Sequence, residues 1–252
     1  MPKNTLFSGK HISILGDSIG TLKGFLPPYC KSFYMQNPHA DCSGISRPED
    51  TWWVRVLAET GSDLCVNNSY SGSLVCGMDF PSATHLLRFG ELHCNPGSYH
   101  YPTEGNTIRK KLCSRTILPD IIIVCMGAND WIFHSPITAD SHSKNDFHYA
   151  YDILLRKLRN KYPESLVICT TIFQKDNAVP DALHPVGAYN DVIRSTAAQH
   201  QCMVADLAAY DAHIETIDGI HPTYQGMHTL AELWLGWLAE IDKTHNIGGN
   251  SQ

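Results

Sequence analysis

The segment at residues 119–130, with the sequence PDIIIVCMGAND, constrains the fold more than any other. Its residues 121–126 are all apolar, without the alternation that marks a strand with one solvated face. A continuous apolar run of this length, bounded by turn residues, is typical of a strand buried on both faces of a parallel sheet. The chain is therefore expected to cover both faces of that sheet.

Comparable runs elsewhere predict further strands, and the spacing of apolar residues predicts helices between them. The predicted strands cover 11–17, 64–72, 119–130, 165–172 and 202–210. The predicted helices cover 51–60, 146–162, 187–201 and 224–243. Strands that alternate with helices imply βαβ connections, so the predicted fold class is α/β, with a parallel sheet covered on both faces.

We interpret residues 1–252 as a single domain that is interrupted by two long segments. These segments, at about 19–50 and 76–116, each follow a predicted strand and are interpreted as loop insertions. They should lie over the carboxyl ends of the strands, where open α/β sheets bind their ligands. Loops of this length are usually either functional or poorly ordered.

The charge balance and the cysteines indicate which binding partners to expect and where in the cell the protein works. There are 19 Lys and Arg against 25 Asp and Glu, a formal net charge of −6, so the basic face of a nucleic-acid binder is not expected. No apolar run approaches the ~20 residues that span a bilayer, so no membrane partner is expected. The nine cysteines form no C-x-x-C pair and the opening residues lack the apolar core of a signal peptide, which predicts a cytoplasmic protein. The oligomeric state stays open.

A candidate nucleophile lies in the sequence GDSIG, residues 16–20, which matches the G-x-S-x-G pattern of a serine at a strand-to-helix turn. In the α/β-hydrolase fold several strands precede that turn, whereas only one short strand precedes Ser18 here. Ser18 is therefore a candidate nucleophile of a different fold. The alternative is a plain strand-end turn, in which the glycines relax the backbone and Asp17 or Ser18 caps the next helix.

A candidate base for that serine lies in the sequence DGIHP, which holds Asp218 and His221. A serine hydroxyl is a poor nucleophile until a base takes its proton. An aspartate three residues before a histidine can hold the imidazole through Nδ1 while Nε2 faces the serine. The alternative is that Asp218 caps a turn and His221 is a surface histidine.

Two further strand ends offer donors for the negative charge that develops on an ester carbonyl oxygen. Asn129, in the sequence GAND, follows the most apolar strand and can direct its side-chain amide into the cleft. Gly72 follows the second strand, and its backbone N–H can approach a ligand closely because glycine has no Cβ. Each segment taken alone is also compatible with an ordinary turn.

Together these four segments resemble the sequence blocks of the SGNH (GDSL-type) hydrolases, in that family's order. The resemblance implies a flavodoxin-like three-layer α/β/α sandwich and a serine esterase that needs no cofactor and acts on small-molecule esters. It implies that Ser18 is the nucleophile and that His221, oriented by Asp218, is the base. It also implies an oxyanion hole formed by the backbone N–H groups of Ser18 and Gly72 and by the Asn129 side chain.

The substrate is predicted to be an ester with a short acyl group, such as acetyl, on a carbohydrate. A lipase or thioesterase of the same family and a catalytically silent carbohydrate-binding member stay open as alternatives. The segment 76–116 is longer than the family resemblance leads one to expect, so the shape of the cleft does not transfer. Three residues near the predicted cleft are expected to contact the substrate: Asp17, Tyr70 and Trp131.

No metal site is predicted. A binuclear metal phosphoesterase would need a D-x-H motif upstream and a histidine after the asparagine. Residues 1–15 contain no aspartate, and Asp130 follows Asn129. The histidines and cysteine of the second insertion fit no standard zinc spacing; they are His85, His93, Cys94 and His100.

Overall fold

The computed structural model describes residues 5–94, 97–100, 109–112, 116–138 and 140–248. Its strands are β1 (His11–Gly16), β2 (Asp63–Asn67), β3 (Gly97–His100), β4 (Arg109–Leu112), β5 (Ile121–Cys125), β6 (Leu166–Thr170) and β7 (Met203–Ala205). Its α-helices are α1 (Trp52–Thr60), α2 (Leu86–Phe89), α3 (Ala128–Ile132), α4 (Phe147–Lys161), α5 (Val186–Gln199) and α6 (Tyr224–Gly248).

The strands form one sheet in the order β4-β3-β2-β1-β5-β6-β7. The five strands from β2 to β7 in this order pair in parallel, which confirms the predicted α/β class and its five-stranded parallel sheet. The sheet then continues at one edge through β3 and β4, which pair antiparallel. These two strands lie in the segment 76–116, so the second insertion is not the plain loop that the sequence predicts.

The two faces of the sheet bury separate apolar clusters, and this explains the uninterrupted apolar run of β5. Ile121 and Ile123 pack in one cluster, and Ile122 and Val124 pack in the other, because successive side chains of a strand point to opposite faces. Both faces are thus withdrawn from water, as predicted for a buried parallel strand.

Paired helices cover each face and complete a three-layer sandwich. Helices α1 and α6 pack together on the first cluster, where the rings of Trp52 and Trp234 stack with centroids 5.5 Å apart. Helices α4 and α5 pack together on the second cluster through residues such as Leu154 and Ile193. In the part of the chain that is described, no helix is both long enough and apolar enough to cross a membrane.

The carboxyl ends of β1, β2 and β5 lie side by side in the sheet. The chain leaves β1 toward Ser18, β2 toward Gly72 and β5 toward Asn129. The parallel pairing therefore brings to one edge three segments that are far apart in sequence.

Candidate active site

Ser18 opens a single 3₁₀ turn, Ser18–Gly20, directly after β1. The Asp17 carboxylate caps this turn by accepting the Ile19 N–H at 3.0 Å. Only glycine fits at positions 16 and 20 without a shift of Ser69. A Cβ at Gly16 would lie 2.6 Å from the Ser69 hydroxyl oxygen, and a Cβ at Gly20 would lie 2.4 Å from it. The turn is thus fixed against the segment that follows β2, and it holds Ser18 largely buried.

His221 lies against Ser18 although the two residues are far apart in sequence. The Ser18 Oγ and the His221 Nε2 are 2.9 Å apart, and the His221 Nδ1 and the Asp218 Oδ2 are 2.7 Å apart. The other Asp218 oxygen accepts the backbone N–H groups of Ile220 at 3.0 Å and His221 at 2.8 Å. The sequence-predicted Ser18, His221 and Asp218 are therefore joined in one hydrogen-bonded chain.

The groups around Asp218 favour its ionised form. Partial burial by itself would raise the pKa of the carboxyl group. The backbone N–H of His221, the imidazole and the N–H of Ile220 outweigh that effect and lower the pKa of Asp218 below its ordinary value. A carboxylate held in this way can fix the imidazole tautomer and stabilise its protonated form.

Residues of the first insertion pack against the loop that carries His221. The ring of Phe33 stacks on the His221 imidazole, with centroids 3.7 Å apart and planes inclined by 9°. The neighbouring Tyr34 hydroxyl donates to the carbonyl oxygen of Pro222 at 3.0 Å. Sequence reasoning missed both contacts, and the only signal was that the segment 19–50 is rich in aromatic residues.

The segment after β5 positions Asn129 beside the segment after β2. The Asn129 Nδ2 donates one hydrogen to the carbonyl oxygen of Ser73 at 2.9 Å, which leaves its second amide hydrogen for another acceptor. Gly72 has φ +83°, a conformation that side chains rarely adopt. Within the described residues, no acceptor bonds the backbone N–H groups of Ser18 and Gly72.

Asp130, the last residue of the GAND sequence, was not predicted to have a role. Its buried carboxylate accepts the backbone N–H groups of Val75 at 2.8 Å and Cys76 at 2.9 Å. Burial raises the pKa of Asp130 above its ordinary value, although these hydrogen bonds oppose the shift. Asp130 thus fastens the Gly72 segment to helix α3.

The three residues predicted to contact the substrate have different surroundings. Asp17 is almost completely buried, and burial raises its pKa to about 6. Tyr70 is half-buried beside the site, where its ring lies 5.2 Å from that of Phe80 and 5.6 Å from the guanidinium carbon of Arg88. Trp131 must be corrected: it is 0% exposed within the apolar cluster under α4 and α5, because helix α3 turns it inward.

Two cavities within the described part of the structure lie near these segments. One of about 250 Å³ lies beside Gly219, in the loop between Asp218 and His221, and its polar lining residues are Gln174, Lys175, Asn177, His213 and Thr216. A smaller one of about 40 Å³ lies beneath Asp17 and is walled by residues such as Trp52 and Trp234.

The potential metal ligands do not gather into a site within the described ranges. Among those residues, no three His, Cys, Asp or Glu side chains lie close enough to hold an ion. The His85 ring instead accepts the Leu87 N–H at 3.3 Å and caps helix α2. The His100 side chain lies outside the part of the chain that is described.

Part of the chain resembles a known family of hydrolases. The family model described as GDSL-like lipase/acylhydrolase matches residues 10–89, which include β1, the Ser18 turn and the Gly72 segment. A comparison with curated proteins finds no match.

Solved structures share the fold over nearly their full length. A candidate GDSL-like lipase from Bacteroides uniformis is 25% identical, with a TM-score of 0.64 over 92% of this chain and 96% of that one. A lipase/acylhydrolase from Enterococcus faecalis is 18% identical, with a TM-score of 0.52 over 93% and 96% of the two chains. An acetyl xylan esterase is 15% identical, with a TM-score of 0.52 over 90% and 98%.

The fold is that of the SGNH hydrolases, a sandwich with a five-stranded parallel sheet. The family-model match adds that residues 10–89 resemble the GDSL-like lipase/acylhydrolase (SGNH) family, as the sequence blocks predict.

Proposed function

We propose that this protein is a serine-dependent carboxylic ester hydrolase that works through an acyl-enzyme intermediate. The observation that supports this most is the hydrogen-bonded chain from Ser18 Oγ to His221 Nε2 at 2.9 Å and from His221 Nδ1 to Asp218 at 2.7 Å. A serine with a base in hydrogen-bond reach, and a third group orienting that base, is the arrangement that activates a hydroxyl nucleophile.

In the first half-reaction, Ser18 Oγ attacks the ester carbonyl carbon while His221 Nε2 takes its proton. The resulting tetrahedral intermediate collapses, its bond to the alkoxy oxygen breaks, and the proton passes from His221 to the departing alcohol. In the second half-reaction, His221 takes a proton from water, which attacks the acyl carbon. The second tetrahedral intermediate then collapses, its bond to Ser18 Oγ breaks, and the proton passes from His221 to Ser18 Oγ as the carboxylic acid leaves. Asp218 keeps its negative charge and stabilises the imidazolium in both halves.

The oxyanion of each tetrahedral intermediate accepts hydrogen bonds from the backbone N–H groups of Ser18 and Gly72 and from the Asn129 amide. The three proposed donors come from segments that follow three neighbouring strands of the sheet. Preorganised donors of this kind supply a large part of the rate enhancement in acyl transfer. Asn129 suits the role because its bond to the Ser73 carbonyl leaves the second amide hydrogen unused.

For the substrate we propose a short-acyl ester, such as an acetyl ester, of a carbohydrate. The cavity beside Gly219 is about 250 Å³, and its lining mixes apolar residues such as Phe173 and Ile214 with amide, ammonium, imidazole and hydroxyl groups that suit the hydroxyl groups of a polar alcohol. It lies next to the loop of His221, the residue that would protonate the departing alcohol. The fold neighbour that acts as an acetyl xylan esterase has a substrate of this kind.

A panel of esters tests the proposal. Acyl length would be varied with one chromogenic alcohol, and the alcohol would then be varied from an aliphatic chain to an acetylated sugar. We expect the highest kcat/KM for acetyl esters of sugars and a loss of most turnover in the Ser18→Ala variant. A preference for long acyl chains or thioesters would make the protein a lipase or thioesterase, and sugar binding without turnover would make it a binding member.

A further inference from the structure

Arg88 is a buried cation whose hydrogen bonds all go to neutral groups. It belongs to helix α2 in the second insertion and is 0% exposed. None of its hydrogen bonds to described residues goes to a carboxylate. Burial lowers the pKa of Arg88 to about 10, so the group still holds its charge at neutral pH. A buried charge is costly unless it is fully hydrogen-bonded, and Arg88 meets that condition with backbone and hydroxyl oxygens.

The two ends of the guanidinium bind segments on both sides of the site. The Nη2 donates to the carbonyl oxygen of Gly16, two residues before Ser18, at 2.8 Å. The Nη1 donates to the Ser73 hydroxyl at 2.6 Å and also to the carbonyl oxygen of Pro81. The Nε and Nη2 reach the carbonyl oxygen of Asn68 at 3.3 and 3.0 Å, just beyond β2.

These contacts fix the separation between the proposed oxyanion-hole donors. Gly16 precedes Ser18 by two residues, and Ser73 directly follows Gly72. The carbonyl oxygen of the same Ser73 accepts the Asn129 amide at 2.9 Å. One rigid planar group therefore links the Gly16 carbonyl to the side chain of Ser73, the residue that follows Gly72 and accepts the Asn129 amide. An arginine fork suits this task, since its donors point in fixed and different directions.

We infer that Arg88 is a positioning residue that holds the oxyanion hole in its working geometry. The inference rests on the proposed function, because it assigns Arg88 a part in that reaction. Arg88 acts through Gly16, Ser73 and Asn129 and does not touch the substrate. The second insertion thus contributes to catalysis through a buried side chain.

The test compares Arg88→Lys with the wild type in ester hydrolysis. Lysine keeps the charge but has a single nitrogen, which cannot reach Gly16 and Ser73 together in the same geometry. We expect kcat to fall about 10- to 100-fold while KM changes less than about threefold, since the oxyanion forms only after binding. Arg159→Lys is the matched control, because Arg159 also donates to a backbone carbonyl, that of Ser165 at 3.0 Å, away from the site. It should keep kcat within about twofold.

A double-mutant cycle separates positioning from general destabilisation. If Arg88 acts through the oxyanion hole, Arg88→Lys should cost much less kcat in an Asn129→Ala background than in the wild type. Guanidinium added to Arg88→Ala should restore part of kcat, and methylammonium should restore less. If Arg88→Lys does not fold, Ser73→Ala takes its place, because it removes one Nη1 acceptor and keeps the charge; its kcat should fall several-fold.

Three results would overturn the inference: wild-type kcat in folded Arg88→Lys, a loss confined to KM, or losses that simply multiply in the cycle. An active wild type with any of these results refutes only the positioning role. A wild type that turns over no ester refutes the proposed function itself, and the role of Arg88 falls with it.

Discussion

The buried carboxyl group of Asp17 gives the stability of this protein a pH dependence that can be worked out in advance. Burial raises the pKa of Asp17 from the ordinary 3.8 to about 6, with the like charge of Asp130 adding to the shift and Arg88 opposing it. Because the folded pKa is the higher one, folding favours the protonated acid. The stabilisation is complete below the ordinary pKa and is lost as the pH rises through about 6.

The magnitude follows from the difference of about two pH units between the two pKa values. At about 1.4 kcal/mol per unit, the free energy of unfolding falls by about 3 kcal/mol over the whole range, of which about 2.5 kcal/mol lies between pH 4 and pH 7. Asp17→Asn removes this titration while keeping an oxygen that can accept the Ile19 N–H.

Urea unfolding of the wild type and of Asp17→Asn, measured from pH 4 to pH 7.5, tests the reasoning. We expect the wild type to lose about 2.5 kcal/mol relative to the variant as the pH rises from 4 to 7. Asp211→Asn, which removes a solvent-exposed carboxylate, is the matched control. Parallel curves for wild type and Asp17→Asn would show that Asp17 titrates at its ordinary pKa. A relative gain in wild-type stability with rising pH would reverse the sign of the argument.

Three further predictions concern ester hydrolysis. Asn129→Ala should lower kcat roughly 10²–10³-fold with a small change in KM, and a rise in KM at unchanged kcat would make Asn129 a substrate-binding residue instead. Asp218→Asn should lower kcat by less than the ~10⁴-fold seen in a buried triad, because the Asp218 side chain is 44% exposed and water screens its charge. A wild-type kcat in the folded variant would show that Asp218 only caps a turn. Phe33→Leu should lower kcat about 2- to 10-fold at nearly constant KM, because it removes one aromatic contact that stabilises the position of the His221 ring. Phe25→Leu, in the same insertion but packed on Trp53, is its control, and equal effects of the two would remove the special role of Phe33.

The sandwich was predictable because its signals are local. A strand buried on both faces needs apolar residues at every position, as β5 shows, and a helix repeats its apolar stripe along one segment. The limits of the elements were less well defined. The predicted strand 202–210 extends only over Met203–Ala205, since a 3₁₀ turn at Leu207–Ala209 follows it. The strand predicted over 64–72 ends at Asn67, whose side chain accepts the Ser69 N–H and bends the chain.

The residues that hold the catalytic groups in position could not be predicted from the sequence around them. Arg88, Phe33 and Asp130 act through contacts with segments that are distant in sequence, and nothing in their immediate neighbours marks them. Trp131 shows the opposite error, because its position two residues after Asn129 suggests the cleft while helix α3 turns the ring into the core.

The central claim is that Ser18 forms a covalent acyl-enzyme, and mass spectrometry of the trapped intermediate tests it most directly. The protein would be mixed with an activated acetyl ester, quenched in acid and digested, and the acetylated peptide sequenced. We predict one acetyl group on Ser18 in the wild type, much less in His221→Ala and none in folded Ser18→Ala, which should also lose most of its turnover. An acetyl group on another residue, or a Ser18→Ala variant that keeps even a tenth of wild-type activity, would contradict the account.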